Sequence, residues 1–174
     1  TATFLPTQGL TGGSASITVN NDLFTDSAGN LGVGNTLGSL VVNTSPATLM
    51  DVQITSAVGV QNNALNAGDV VTVTAHFSEA QTLNTTAGSP TVALQIGGST
   101  VNATYASGAG TADLLFTYTI LAGQTDADGI ALDADSLSLN GSTLKDPRTN
   151  TTTISVPATA ANSSFTVDAL GNIP

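Results

Sequence analysis

Apolar and polar positions alternate singly over much of the chain, the period of a half-buried β-strand. In DVVTVTAHFS, Val71, Val73, Ala75 and Phe77 share one face while Thr72, Thr74 and His76 share the other. The same rhythm groups Val92, Leu94 and Ile96; Val101, Ala103 and Tyr105; and Leu114, Phe116, Tyr118 and Ile120. Shorter runs add Leu137 with Leu139 and Phe165 with Val167. Gly- and Asn-rich punctuation separates them: NAGD, AGSP, IGGS, SGAG, DADG and LNGS. Short strands with polar outer faces and frequent Gly turns predict an all-β chain of antiparallel, Ig-like β-sandwich modules.

An internal echo predicts where the modules divide. SLVVNTSPAT (39–48) and FTVDALGNIP (165–174) each read as a final strand entering a Pro-bearing linker. Upstream of each stands a matching turn, FTDSAGN ending at Asn30 and LKDPRTN ending at Asn150. Residues 47–170 are expected to form one complete module, with its strands between 48 and 168 and a linker to a further module at 171–174. That span is close to the roughly 100 residues of an Ig sandwich. Residues 1–46 supply only the closing half of another module, tandem but partial. A half-sandwich buries little apolar surface and leaves an unpaired edge. Either the missing half belongs to a longer natural chain, or strands from a neighbouring molecule complete it. The opening TATFLPTQGL has neither a basic segment nor an apolar signal core, so the sequence reads as an excised portion of something longer.

Charge narrows the partners. Acids outnumber bases twelve to two, giving a formal charge of −10, and charged residues make up only 8% of the chain. Nucleic acid and anionic membranes need clustered Lys or Arg, so neither is an expected partner; a cation is. No stretch reaches the about 20 apolar residues of a membrane-spanning helix, so no membrane insertion is expected. Cysteine is absent, which removes disulfides and thiolate metal sites. Trp is absent and aromatics are 4%, leaving little with which to stack a sugar ring.

The run from VVTVTAHFSEAQT through PTVALQIGGSTVNATYASGAGTADLLFTYTILAGQTDADGIALDADSLSLNGSTLKDPRTN to NSSFTVD resembles the bacterial Ig-like and cadherin-like repeats of giant secreted surface proteins and RTX-type adhesins. The N-terminal ATFLPTQGLTGGSASITVNNDLFTDSAGNLG looks like the closing half of another such repeat. The resemblance implies an extracellular location, a place among neighbouring Ig-like modules, and a role as a stacked rod segment stiffened by calcium at module ends. Its linkers, VNTSPAT and VDALGNIP, depart from the acidic pattern of such repeats, and Asn43 stands where an Asp is usual.

Calcium takes about six to eight oxygens, so the acidic turns are the candidate ligands. In TDADGIALDAD, Asp126 and Asp128 flank Ala127 ahead of Gly129, with Asp168 and Asp69 expected at the same end. An EF-hand is excluded by the position of the Gly. The competing reading is a solvated acidic turn. Glu79, Asp146, Asn150 and Asp51 form a second candidate cluster at the opposite end, against the reading that Asp146 and Asn150 cap a turn through Asx hydrogen bonds. The latter reading also covers Asp26 and Asn30.

No catalytic residue is expected. His76 is the single His, alternation puts it on an outer strand face, and no G-x-S-x-G elbow accompanies it. Without Cys or a second His, a transition-metal site is also not expected. The sequence thus predicts a non-enzymatic structural repeat of an extracellular surface adhesin. Its alternative is a subunit of an extracellular filament, in which identical subunits complete the partial module by strand addition.

Overall fold

A computed structural model describes residues 3–155 and 162–171. Most of the expected linker at 171–174 lies outside the described residues, Gly171 excepted. The chain divides into two compact units, Thr1–Ser45 and Pro46–Pro174. Among the described residues there is no helix. The protein is all-β and antiparallel, with a sandwich-like second unit.

The first unit is built on one ribbon. Strand β1 (Gly13–Val19) pairs antiparallel with β2 (Asn35–Val42), with a bulge between Ala15 and Ile17. An isolated bridge joins Thr25 to Leu31 across the connecting loop. No described residue from 3 to 45 is buried.

The second unit holds the core. Its strands are β3 (Leu49–Val58), β4 (Val70–Phe77), β5 (Thr82–Asn84), β6 (Thr91–Ile96), β7 (Ser99–Ser107) and β8 (Asp113–Thr119). The shorter β9 (Thr125–Asp126), β10 (Leu137–Ser138), β11 (Thr143–Lys145) and β12 (Val167–Asp168) follow. One six-stranded sheet runs β10-β6-β7-β8-β4-β3, and two-stranded ribbons β11-β5 and β12-β9 complete the unit. The expected alternation becomes burial. Val71, Val73 and Ala75 are fully buried with Phe77, Val92, Leu94, Leu114 and Phe116, and the intervening threonines face outward. The T-shaped Tyr105–Phe116 contact adds an aromatic pair at 5.9 Å between ring centroids.

Turn chemistry fixes the register. β6 and β7 are joined by Gly97 and Gly98 alone, at φ 55° and 77°, the double left-handed loop that matches strand twist. Gly97 carries a second constraint, since a Cβ there would lie 2.0 Å from the Thr125 carbonyl oxygen. At its two ends the unit closes with parallel bridges, Thr48 to Thr153 and Leu65 to Val167.

Candidate functional site

The acidic positions are the places where the sequence promises chemistry, and each is held by a defined set of partners. Asp126 is buried, and both its oxygens are occupied. The Gly97 amide donates to Oδ2 at 2.8 Å and the Gly129 amide to Oδ1 at 2.9 Å. Gly129 sits at φ 96°, and a Cβ there would lie 2.0 Å from the Asn162 carbonyl oxygen, so this turn needs glycine. Asp126 therefore ties the β6–β7 turn to the turn after β9. In the β9–β12 ribbon Asp126 faces Val167 while Asp168 faces Thr125. Side chains alternate across a strand, so buried Asp126 and exposed Asp168 point to opposite faces, and one ion cannot bridge them. Asp128 is exposed in the turn between.

Asp69 and Asp168 do come together. With Gln61, Asn66, Ala169 and Gly171 they line a recess of about 150 Å³. One Asp69 oxygen there already accepts the Asn66 amide at 2.8 Å, and the Asn66 carbonyl accepts the Asp69 amide in return.

At the other candidate cluster the Asx reading describes the geometry. Asp146 is 1% exposed and works as the hub of its loop. Its Oδ1 accepts the Arg148 and Asn150 amides, each at 2.9 Å, and Oδ2 accepts the Asn150 side-chain amide at 2.8 Å. Burial pushes this carboxyl up, but the bonds from the Asn150 side chain and from the amides of Asn150, Arg148 and Ala47 outweigh it and hold it below the usual carboxylate range. Glu79 approaches the same loop through a cation that the chain itself supplies: Arg148 Nη1 donates to its Oε2 at 2.6 Å. Asp51 is elsewhere, opposite His76 in the β3–β4 register.

Two polar arrangements were not anticipated from the sequence. His76 pairs with Asp113 directly across β4–β8, so Asp51, His76 and Asp113 form a row over three strands. The hydrogen bond to Asp113, opposed by desolvation and reinforced by the charges of Asp113 and Asp51, raises the His76 pKa. Gln81 is fully buried, accepting from the Thr152 hydroxyl at 2.6 Å and donating to the Glu79 carbonyl at 2.8 Å. The His76–Asp113 and Gln81–Thr152 contacts join residues far apart in sequence, which local alternation does not reveal.

A calcium site needs convergent, uncommitted oxygens. Among the described residues no group of three or more His, Cys, Asp or Glu side chains is placed to hold a metal. The Asp126 and Asp146 oxygens accept from N–H donors, and Glu79 Oε2 accepts from the Arg148 guanidinium.

The two units share a local pattern. The segments SITVNNDLFTDSAGN (16–30) and SLSLNGSTLKDPRTN (136–150) align without a gap. Asp26 repeats the bonds made within the later loop, without a counterpart of the Ala47 amide. The Ala28 and Asn30 amides donate to its Oδ1 at 2.8 and 3.0 Å, and the Asn30 side chain donates to Oδ2 at 2.8 Å. The bracing bridges match as well, Thr25 to Leu31 and Lys145 to Thr151. A second pair of equivalent bonds closes each segment. Gly9 donates to the Thr44 carbonyl and Thr44 to that of Leu10, as Gly123 donates to Ala169 and Ala169 to Gln124. The two stretches therefore share an Asx loop and a closing pair of bonds, but differ in strand pairing: Ile17 is opposite Leu37 of β2, whereas Leu137 is opposite Val92 of β6. Compared with known proteins, the chain matches no protein family, no curated protein and no solved structure.

Proposed function

We propose that the chain is a structural repeat: an Ig-like segment of a tandem, extracellular surface array, whose task is to hold length and resist extension. The observation that carries this reading is the recurrence within one chain of the Asx loop and of its closing pair of bonds, because repetition of a supersecondary unit is how extended arrays are built. The net charge of −10 on a nearly Lys-free chain agrees with an exposed, soluble fibre.

The ends of the second unit suit the task. At its start, Leu49 donates to the Thr153 carbonyl at 2.8 Å and Thr153 to that of Ala47 at 2.9 Å. Near its end, Leu65 donates to Thr166 at 2.8 Å and Asp168 to Leu65 at 2.9 Å. Both pairs are parallel, so tension applied at Pro46 and Gly171 shears several bonds at once instead of opening them singly. Calcium is not required for this clamp.

Force spectroscopy on the chain tests the reading. The second unit should unfold in one cooperative step. Thr153→Pro removes the Thr153 amide donor and should raise the unfolding rate under load by about tenfold, the equivalent of one net hydrogen bond. Gradual extension without a force peak would sink the proposal.

A second reading, a filament subunit completed by strands of another molecule, is favoured by one observation: β1 and β2 form a two-stranded sheet with open outer edges. Mass measurement in solution separates the two readings, since a filament subunit forms a concentration-dependent series.

A further inference from the structure

Large apolar side chains that are exposed concentrate in the first unit. Ile17 is 39% exposed, Val19 48%, Phe24 48%, Leu31 63% and Leu37 55%. Only Asp22 and Asp26 among residues 1–45 have charged side chains. Ile17 and Val19 lie on one side of β1 and Ile17 is opposite Leu37 of β2, so these three share one face of the ribbon, and exposed apolar side chains gathered on a face mark an interaction site.

The second unit shows what covers such a face. In the gapless alignment, Ile17 and Phe24 take the places of Leu137 and Leu144, which are 3% and 1% exposed. Leu137 is opposite Val92 of β6, and Leu144 is opposite Leu83 of β5. The closing half of the second unit is therefore buried by the half that precedes it, β3 to β8. We infer that the apolar face of residues 9–44 is a docking surface for one kind of partner: a β half-module with the inward alternation of Leu49–Ile120, presenting strands equivalent to β5 and β6. This deepens the tandem reading and rests on it. An identical second copy is a poor occupant, because its own β3 to β8 are already closed by β9 to β12. The partner is a half-module not yet committed to a closing half, joined to β1 by strand addition.

The test fuses a second copy of residues 46–122 ahead of Thr1 of the full chain, and follows amide hydrogen exchange by mass spectrometry. Docking predicts that β1 and β2 amides exchange at least about a hundredfold more slowly in the fusion than in the parent chain. Ile17→Asp combined with Phe24→Asp in the fusion should cancel that gain while leaving Val70–Phe77 of the original second unit as protected as before. Unchanged exchange in β1 and β2 overturns the inference. So does a fused copy that stays unprotected, because a half-module that docks must itself become ordered. Self-association of the parent chain that protects the same strands would also overturn it, by making the occupant a second copy. None of these results bears on the shear clamp, which lies in the second unit at Ala47, Leu49 and Thr153 and at Leu65, Thr166 and Asp168.

Discussion

The loops Asp26–Asn30 and Asp146–Asn150 make the same hydrogen bonds in opposite surroundings. Asp26 is exposed throughout its loop, whereas Asp146 is 1% exposed over a packed core. The Asx network is therefore a local property of the sequence D-x-x-x-N with a left-handed fourth residue, formed whether or not anything is packed beneath it. Burial is not local. It arrives with β3 to β8, which cover Leu137 and Leu144, whereas in the first unit Ile17, though opposite Leu37 of β2, and Phe24 stay exposed. Shared local structure does not carry shared stability.

Core truncations break the comparison most strongly. Leu144→Ala removes a fully buried side chain and should cost the second unit about 2–5 kcal/mol. Phe24→Ala, at the equivalent position, should leave that unit's urea midpoint unchanged. Equal effects would mean that the two positions are not equivalent.

Removing the hub carboxylate is the next step down. Asp146→Ala leaves the amides of Arg148, Asn150 and Ala47 without their acceptor in a buried setting, at a cost of about 1–3 kcal/mol. Asp26→Ala frees its loop amides to water and should not move the main unfolding transition. The pH dependence follows from the sign of the shift. Asp146 titrates below its ordinary value of 3.8 in the folded protein, so its contribution is complete above that value and fades as pH falls through the lower, folded one. Acid unfolding of the second unit, followed by circular dichroism, should begin at higher pH after Asp146→Ala than in the parent chain. Asp26→Asn should not shift it, although Asn30 and the loop amides lower the Asp26 pKa in the same direction.

Strand faces and the all-β class were legible because period-2 alternation is a local signal: Val71 to Phe77 and Val92 to Ile96 are buried as their pattern implied. The matched turns before Asn30 and Asn150 were legible for the same reason. The fate of the acids was not. Whether Asp126 faces Asp168 or Val167 depends on the β9–β12 register, which a one-residue slip would reverse. Whether Glu79 meets an ion or Arg148 depends on a contact across 69 residues of chain. A cluster of Asp in sequence reports charge; only the fold decides which N–H groups reach it first.

Within the loops, one difference is open to adjustment. The fourth residue is Gly29 at φ 83° in the first loop and Thr149 at φ 70° in the second. A β-branched residue in the left-handed region is strained by roughly 1–2 kcal/mol, part of which glycine returns as chain entropy. Thr149→Gly should therefore stabilise the second unit by about 0.5–1 kcal/mol in denaturant titration. A destabilisation would show that the Thr149 side chain contributes more than its backbone strain removes.

Calcium should produce the smallest effect. Asp126 accepts from the Gly97 and Gly129 amides and Asp146 from those of Arg148 and Asn150, and the recess shared by Asp69 and Asp168 offers two carboxylates where the ion takes about six to eight oxygens. Replacing EDTA with millimolar calcium should leave the melting temperature unchanged within about 1 °C, a bound that linkage makes informative. A site with a dissociation constant of about 1 mM would, at about 10 mM calcium, add about 1.4 kcal/mol and raise the melting temperature by several degrees. If such a rise occurred and vanished in Asp69→Asn with Asp168→Asn, the recess would be an ion-dependent end of the module. A rise that survived both substitutions would point to oxygens outside that recess.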